Sequence, residues 1–179
     1  DTPLLTSQSL AALVAGHIDG GFSASVLTAE HPEPTGYGRI IRGDDGSLLR
    51  IVEERDADEF ERAVEEINSG VYVFDGAKLA GAIGKLRNDN SQGELYLTDV
   101  IEILRNEGGA IAAVCIDDFT ETLGVNDRVQ LAEAAALLRD RINDGLMRSG
   151  VTIVDPTTTW VDATSIISQD VTILPGTTI

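Results

Sequence analysis

Aliphatic residues recur at every sixth position near the end of the chain, at Val161, Ile167, Ile173 and Ile179. A period of six fits neither an α-helix nor the simple alternation of a half-buried strand. It is typical of hexapeptide β-helices, in which one aliphatic side chain of each short strand points inward. Because coils of this kind bury their faces only against neighbouring coils, we expect the repeat to continue beyond Ile179 or to rest on another subunit.

A long helix is predicted in front of these hexads. Behind Asn126 an apolar stripe recurs at spacings of four, three, four and four residues and ends before Gly150. The stripe consists of Leu131, Ala135, Leu138, Ile142 and Leu146. We interpret this helix as a connector between two domains.

The preceding part of the chain has the pattern of an α/β domain, for which we expect a mixed, mostly parallel sheet. A helix over 9–18 is expected to pack on the core through Leu10, Leu13, Val14 and Ile18. The residues Gly43–Gly46 predict a hairpin turn, and Cys115 is interpreted as a small core residue. Further strands are predicted over 22–28, 38–42, 48–54, 71–74 and 110–116, and helices over 56–67, 76–86 and 98–106.

Charge restricts the classes of partner. The chain has 30 acidic and 13 basic residues and a net charge of -17, which lacks the basic surface that nucleic acids require. A substrate with several phosphates would need a divalent cation and basic groups from elsewhere in the protein. No apolar stretch approaches the roughly 20 residues of a membrane span, and no signal peptide is evident, so we expect a cytoplasmic protein.

Polar residues that end a strand or begin a helix are the candidates for binding, because α/β sheets bind ligands at the carboxyl ends of their strands. Asp1 carries a hard oxygen ligand suited to magnesium, although its spacing alone favours a turn or cap residue. Gly38 lets a ligand approach the backbone or simply forms a turn. Glu53 and Asn68 are placed to bind sugar groups, or are solvated or turn-forming, and Asn126 is a metal ligand or an N-cap.

Taken in order, several short motifs resemble one enzyme family, the N-acetylglucosamine-1-phosphate uridyltransferase / glucosamine-1-phosphate acetyltransferase family. The resemblance spans nearly the whole chain and includes the change from long helix to hexapeptide repeat. The motifs are DTPLL, GYGRI, IVEE, INSGVYVFD, NDNSQGELYLTDVIEIL, GVNDRVQL and the DP segment before the hexads.

The resemblance implies a fold in three parts. Residues 1–126 would be the C-terminal part of a Rossmann-like nucleotide-diphospho-sugar transferase domain with a mixed sheet. Residues 127–149 would be a linker helix, and residues 150–179 the first coil of a left-handed parallel β-helix that forms a homotrimer and transfers acetyl groups from acetyl-CoA.

It also implies roles for individual residues. Asp1 and Asn126 would be Mg²⁺ ligands, and Gly38, Glu53, Asn68 and Asn126 would contact substrate. Tyr96 and Thr98 would line the hexosamine pocket. The substrates would be UTP and N-acetylglucosamine-1-phosphate, and the product UDP-N-acetylglucosamine.

The sequence departs from the family in several places. The family often has an aromatic residue in place of Leu95 and asparagine in place of Asp127. Its glycine-rich triphosphate loop and lysine are missing here, so this segment alone is expected to be inactive. Two alternatives stay open: another hexose-1-phosphate nucleotidyltransferase with a β-helix tail, and a non-catalytic trimerising module that binds nucleotide sugar.

Overall fold

The chain folds as two compact units in a computed structural model that describes residues 2–179. One unit is Leu5–Thr122, and the other combines residues 2–4 with Leu123–Ile179. Each unit has a hydrophobic cluster of its own. Within the described residues, no helix is both long and apolar enough to cross a membrane.

The unit Leu5–Thr122 is an α/β fold built on a five-stranded sheet with the order β3-β2-β4-β1-β5. Its core includes Val26, Ile40, Val100 and Ile101, which are at most 1% exposed. Its elements are α1 (Ser7–Gly20), β1 (Ala24–Glu30), β2 (Arg39–Arg42), β3 (Leu48–Val52), α2 (Glu59–Arg62), β4 (Glu66–Phe74), α3 (Gly76–Ile83), α4 (Asp99–Asn106), β5 (Ile111–Ile116) and a 3₁₀ turn at Phe119–Thr122.

The sheet is mixed, as predicted, but the prediction that it is mostly parallel is wrong. Only β1 and β5 pair in parallel, whereas β1 with β4, β2 with β3 and β2 with β4 are antiparallel. The tight Gly43–Gly46 turn produces a hairpin, as expected from its sequence. A turn this short cannot make the long crossover that parallel neighbours need.

The predicted helix over 56–67 is also wrong. Only Glu59–Arg62 is helical, with Asp58 as its N-cap and a capping box to Glu61. The chain has already entered β4 at Glu66, where Ile67 is fully buried opposite β1. Sheet pairing here outweighs the local helical pattern, because Ile67 contributes to the core only as part of the strand.

Helix α1 has the predicted position but a different buried face. Thr6 caps it, and its side chain accepts a hydrogen bond from the Ser9 N–H at 3.1 Å. Leu13 and His17 are the buried residues, and His17 Nδ1 lies 2.9 Å from Ser25 Oγ of β1. The predicted contacts by Leu10, Val14 and Ile18 are wrong, since these side chains are exposed.

Cys115 is exposed, which corrects its interpretation as a core residue. It lies on β5, the last strand in the sheet order. Strand β5 has a neighbour on one side only, so its apolar sequence does not guarantee burial.

The second unit contains α5 (Arg128–Arg148), followed by β6 (Thr152–Ile153) and β7 (Thr172–Ile173), which pair in parallel. Ile142 and Leu146 of the predicted stripe pack on the cluster that these strands form, whereas Leu131 and Leu138 are exposed. Among the hexad positions, Val161 and Ile173 are buried in that cluster and Ile167 packs against it, but Ile179 is 51% exposed.

Candidate functional site

Three predicted residues meet at one end of the sheet. Gly38 immediately precedes β2, Glu53 immediately follows β3, and Asn68 lies in β4. A Cβ atom on Gly38 would lie 3.5 Å from Glu53 Oε2, 3.5 Å from Asn68 Cβ and 3.2 Å from Ile51 Cγ2. The Asn68 N–H also donates to the Gly38 carbonyl at 2.8 Å. A side chain at position 38 would therefore crowd the place where the other two converge.

An irregularity in β4 fixes Asn68. Val26 faces Tyr72 and Thr28 faces Asn68, so Leu27 is opposite residues 69–71 and β4 bulges there. Gly70 adopts φ +78°, a conformation that favours glycine, and its N–H donates to Asn68 Oδ1 at 3.0 Å. The hydrogen bond from Gly70 in the bulge therefore fixes the orientation of the Asn68 side chain.

Tyr72 is a further neighbour of Asn68 that sequence reasoning missed. Burial raises the pKa of the Tyr72 hydroxyl, while a hydrogen bond with the Asn68 side chain opposes this rise. Its ring stacks on Phe74 with 5.4 Å between centroids. The position of Tyr72 in an apolar strand suggested only a core residue.

Thr98, for which the resemblance implies a place in the hexosamine pocket, contacts Glu53. Its hydroxyl donates to Glu53 Oε1 at 2.9 Å, and the residue is buried. Thr98 is the N-cap residue of α4 but makes no side-chain capping bond. Its hydroxyl therefore orients Glu53 instead of the helix end.

Tyr96 lies on a loop that is tied to the segment after β3. Its hydroxyl accepts a hydrogen bond from Gln92 Nε2 at 2.8 Å, and Gln92 Oε1 accepts one from Arg55 at 2.7 Å. Asp56 accepts from the Ser91 N–H at 2.8 Å, and hydrogen bonds from Ser91 lower the pKa of Asp56. An open cleft of about 320 Å³ lies here, lined by Gly36, Glu53, Glu54, Arg55 and Gln92.

An ion pair between buried Arg39 and half-buried Glu54 borders the same cleft and was also missed. Arg39 is 1% exposed, and its guanidinium lies 2.7 Å from Glu54 Oε2 and donates to the Tyr37 carbonyl. The same Glu54 oxygen accepts from the Gly36 N–H at 3.2 Å. The sequence did not indicate that Arg39 is buried, because an arginine is almost always exposed unless it is paired.

The surroundings of the site are acidic. Burial raises the pKa of Asp99, and the negative charges of Glu102, Glu53, Asp56 and Asp89 raise it further. A phosphorylated ligand at this end of the sheet would therefore meet a repulsive field unless cations offset it.

The metal-binding roles of Asp1 and Asn126 stay predictions. Asp1 lies outside the described residues. Asn126 belongs to the second unit, where its N–H donates to Gln130 Oε1 at 2.6 Å. The expectation that Asn126 caps the long helix is wrong, because Asp127 is the N-cap and accepts from the Val129 and Gln130 N–H groups. The Asn126 amide oxygen is thereby left out of the cap, and an amide oxygen is a hard ligand of the kind magnesium takes.

Comparison with known proteins places this geometry in a family. The profile of the nucleotidyl transferase family matches residues 4–166. The chain belongs to the nucleotidyl transferase family. The resemblance identified from its motifs is confirmed, because many relatives that match nearly all of this chain are bifunctional GlmU proteins.

Three of these relatives illustrate the match. The chain is 56% identical to the bifunctional protein GlmU of Streptomyces coelicolor, over 99% of this chain and 37% of that protein. Identity is 53% to the protein of the same name from Lactobacillus delbrueckii subsp. bulgaricus and 50% to that from Geobacillus thermodenitrificans, in both cases over 100% of this chain and 39% of the relative. The chain thus spans less than half the length of these relatives.

A solved structure shows the same fold. It is assigned as a glucose-1-phosphate thymidylyltransferase from Bacillus anthracis in complex with sucrose. The TM-score is 0.54 at 21% identity, and the match covers 73% of this chain and 49% of the other. This supports the mixed α/β sheet of a nucleotidyltransferase domain.

Proposed function

We propose that this chain is part of a bifunctional enzyme that makes UDP-N-acetylglucosamine. One activity transfers uridyl from UTP to N-acetylglucosamine-1-phosphate and releases pyrophosphate. The other transfers acetyl from acetyl-CoA to glucosamine-1-phosphate. The observation that carries the first activity is the convergence of Gly38, Glu53, Asn68 and Thr98 at one end of a nucleotidyltransferase sheet.

In this proposal the sheet end binds the N-acetylglucosamine part of substrate and product. Glu53 accepts hydrogen bonds from sugar hydroxyl groups, and the Asn68 amide bonds a hydroxyl or the acetamido group. Gly38 lets the ligand approach the backbone. Tyr96 and Thr98 line the hexosamine side, and Thr98 also orients Glu53 at 2.9 Å.

The reaction is attack of a sugar-1-phosphate oxygen on the α-phosphorus of UTP. It needs no protein nucleophile, so the side chains at the sheet end contribute by binding and aligning the attacking sugar phosphate. Tight binding of the sugar ring by Glu53 and Asn68 restricts the orientation of its phosphate. Most of the catalytic effect in this half of the site is therefore positional.

Magnesium is the proposed cofactor, with Asp1 and Asn126 as its ligands. When bound, the ion would neutralise phosphate charge and polarise the phosphorus. The acidic neighbours of Asp99 would repel the phosphates of a substrate bound at the sheet end, so neutralisation of phosphate charge would favour binding. The structural observation that fits this role is that Asp127, and not Asn126, caps the long helix.

For the C-terminal part, we propose a linker helix over 127–149 and the start of a left-handed β-helix over 150–179. One parallel contact supports this: Trp160 faces Thr178, which lies 18 residues further along the chain and hence three hexads. The β-helix would form a homotrimer and perform acetyl transfer in coils beyond Ile179. In this proposal the enzyme is cytoplasmic, and residues 1–179 alone are inactive.

A substrate assay on the intact enzyme tests the uridyl transfer. With UTP and Mg²⁺, N-acetylglucosamine-1-phosphate should be used with a kcat/KM far above those for glucose-1-phosphate and mannose-1-phosphate. Preference for glucose-1-phosphate or mannose-1-phosphate would favour another hexose-1-phosphate nucleotidyltransferase. Binding of UDP-N-acetylglucosamine without any turnover would favour a non-catalytic module.

A further inference from the structure

The Arg39–Glu54 ion pair has the features of a positioning device. Arg39 is almost completely buried, and within residues 2–179 its Nε–H has no hydrogen-bond partner. A buried N–H without a partner destabilises the fold, and ion pairs often add little net stability whether they are exposed or buried. The pair is therefore better explained by what it holds in place.

The ion pair contacts the backbone of two consecutive residues, Gly36 and Tyr37. Glu54 Oε2 accepts from the Gly36 N–H at 3.2 Å, and the Arg39 guanidinium donates to the Tyr37 carbonyl. Gly36 has φ +91°, a conformation that residues with a side chain rarely adopt. The ion pair therefore brackets an unusual backbone segment directly before Gly38.

The position of this segment matters because Gly38 is tightly enclosed. Its carbonyl accepts from the Asn68 N–H at 2.8 Å, and it lies close to Glu53. Movement of residues 36–37 would shift Gly38 relative to the two side chains that bind sugar in the proposed function. The cleft beside them is lined by Gly36, Glu53 and Glu54 together.

We propose that Arg39 and Glu54 are positioning residues, which fix the Gly36–Gly38 backbone and thereby set the affinity for the sugar phosphate. This inference rests on the proposed uridyl transfer. Neither side chain is assigned contact with the reacting atoms. Burial opposes the charge of Glu54, but the hydrogen bonds from Gly36 and Arg39 lower its pKa, so this carboxylate is ionised at neutral pH.

The test compares variants of the intact enzyme at saturating UTP. Glu54→Leu removes the shared acceptor and should raise KM for N-acetylglucosamine-1-phosphate about 10-fold. Glu54→Gln keeps an oxygen that accepts from Gly36 and Arg39, so its KM should stay within about threefold of wild type. The KM for UTP should change by less than about twofold in both variants.

Arg50→Met is the matched control. Arg50 lies on the strand before Glu54 and pairs with Glu61 at 2.5 Å, away from Gly36 and Tyr37. Its loss should leave the KM for the sugar phosphate unchanged. An equal rise of KM in Arg50→Met and Glu54→Leu, or no rise in Glu54→Leu, would overturn the proposal.

Amide hydrogen exchange at Gly36 gives a second readout that does not depend on activity. Exchange should be faster in Glu54→Leu than in wild type. Unchanged exchange would show that Glu54 does not fix the backbone at Gly36, whatever the substrate of the enzyme. If Glu54→Leu does not fold, Glu54→Asp takes its place, because the shorter carboxylate keeps the charge but cannot keep both contacts. A wild-type KM in Glu54→Asp, with wild-type exchange at Gly36, would equally overturn the proposal.

Discussion

The two units of the chain use buried polar groups differently. In Leu5–Thr122, Thr98 and Arg39 are buried beside an open cleft, where they orient Glu53 and the backbone before Gly38. In the second unit, the fully buried Asn143 donates to the carbonyls of Pro156 and Thr159 at 3.0 and 2.9 Å. In the proposed function the first arrangement prepares a binding site, whereas the second joins a loop to a helix.

Large apolar residues are exposed in both units, for example Phe60 (85%) in the first. In the second unit Ile166 is 98% exposed and Leu174 is 65% exposed, although both lie in the hexad region. Its paired strands β6 and β7 have only two residues each. Substitutions there should change stability or assembly, whereas substitutions at the sheet end should change ligand recognition.

Asn126 is the exception to this division of roles between the two units. It belongs to the second unit but is a proposed metal ligand. In the intact enzyme, Asn126→Ala or Asp1→Ala should lower uridyl transfer by orders of magnitude while acetyl transfer survives. Both rates are measured on the same preparation.

Asp127→Ala is the control for this prediction. It removes the N-cap of α5 and should cost about 1 kcal/mol of stability, with uridyl transfer retained. Equal loss of both activities in Asn126→Ala, or loss of neither, would contradict the assignment.

Asn68→Ala sharpens the comparison within the first unit. Loss of its amide should raise KM for N-acetylglucosamine-1-phosphate between about 10- and 100-fold, because the sugar loses hydrogen bonds in a partly buried site. Steady-state kinetics on the intact enzyme provide the measurement. Ser69→Ala disturbs the same bulge, where Ser69 donates to the Leu27 carbonyl, without removing a ligand contact. A larger effect from Ser69→Ala would show that the bulge, and not the amide, matters.

Asn143→Ala tests the other side of the comparison. It leaves two carbonyl groups without their donor, so the free energy of unfolding should fall by about 2 kcal/mol. Thermal or denaturant unfolding measures this, and the KM for the sugar phosphate should not change. The exposed neighbour Asp144 provides a control, since Asp144→Ala should have almost no effect. A raised KM in Asn143→Ala would refute the division of roles.

The smallest effect is expected for Lys85→Ala. Its ion pair with Glu107 is about half exposed on both sides, and such surface pairs contribute less than about 1 kcal/mol. Neither stability nor kinetics should change beyond this amount. A strong kinetic effect would contradict this expectation and show that Lys85 contributes to ligand binding.

The local sequence predicts the hairpin that carries part of the site, but it does not predict the strand pairing that completes it. The Gly43–Gly46 turn predicts a hairpin that brings Gly38 near the end of β3, but Arg39 faces Val52 only because the pairing shifts by one residue between Ile41 and Arg42. Asn68 joins Gly38 and Glu53 only through pairing between β2 and β4, for which no local pattern exists.

Other errors have the same origin. The charged run from Asp56 suits a helix as well as a loop, and only contact with β1 decides that Glu66 and Ile67 are strand. Likewise, the apolar residues of α1 suggested a core face, but its burial is set by which side meets the sheet. Long-range pairing, and not propensity, decided these points.

A crystal structure of the intact enzyme with UDP-N-acetylglucosamine and Mg²⁺ tests the central claim most directly. The account predicts the N-acetylglucosamine ring beside Gly38, with Glu53 and Asn68 within about 3 Å of its polar atoms. A sugar ring bound elsewhere, with Glu53 and Asn68 in contact only with protein or solvent, would contradict it.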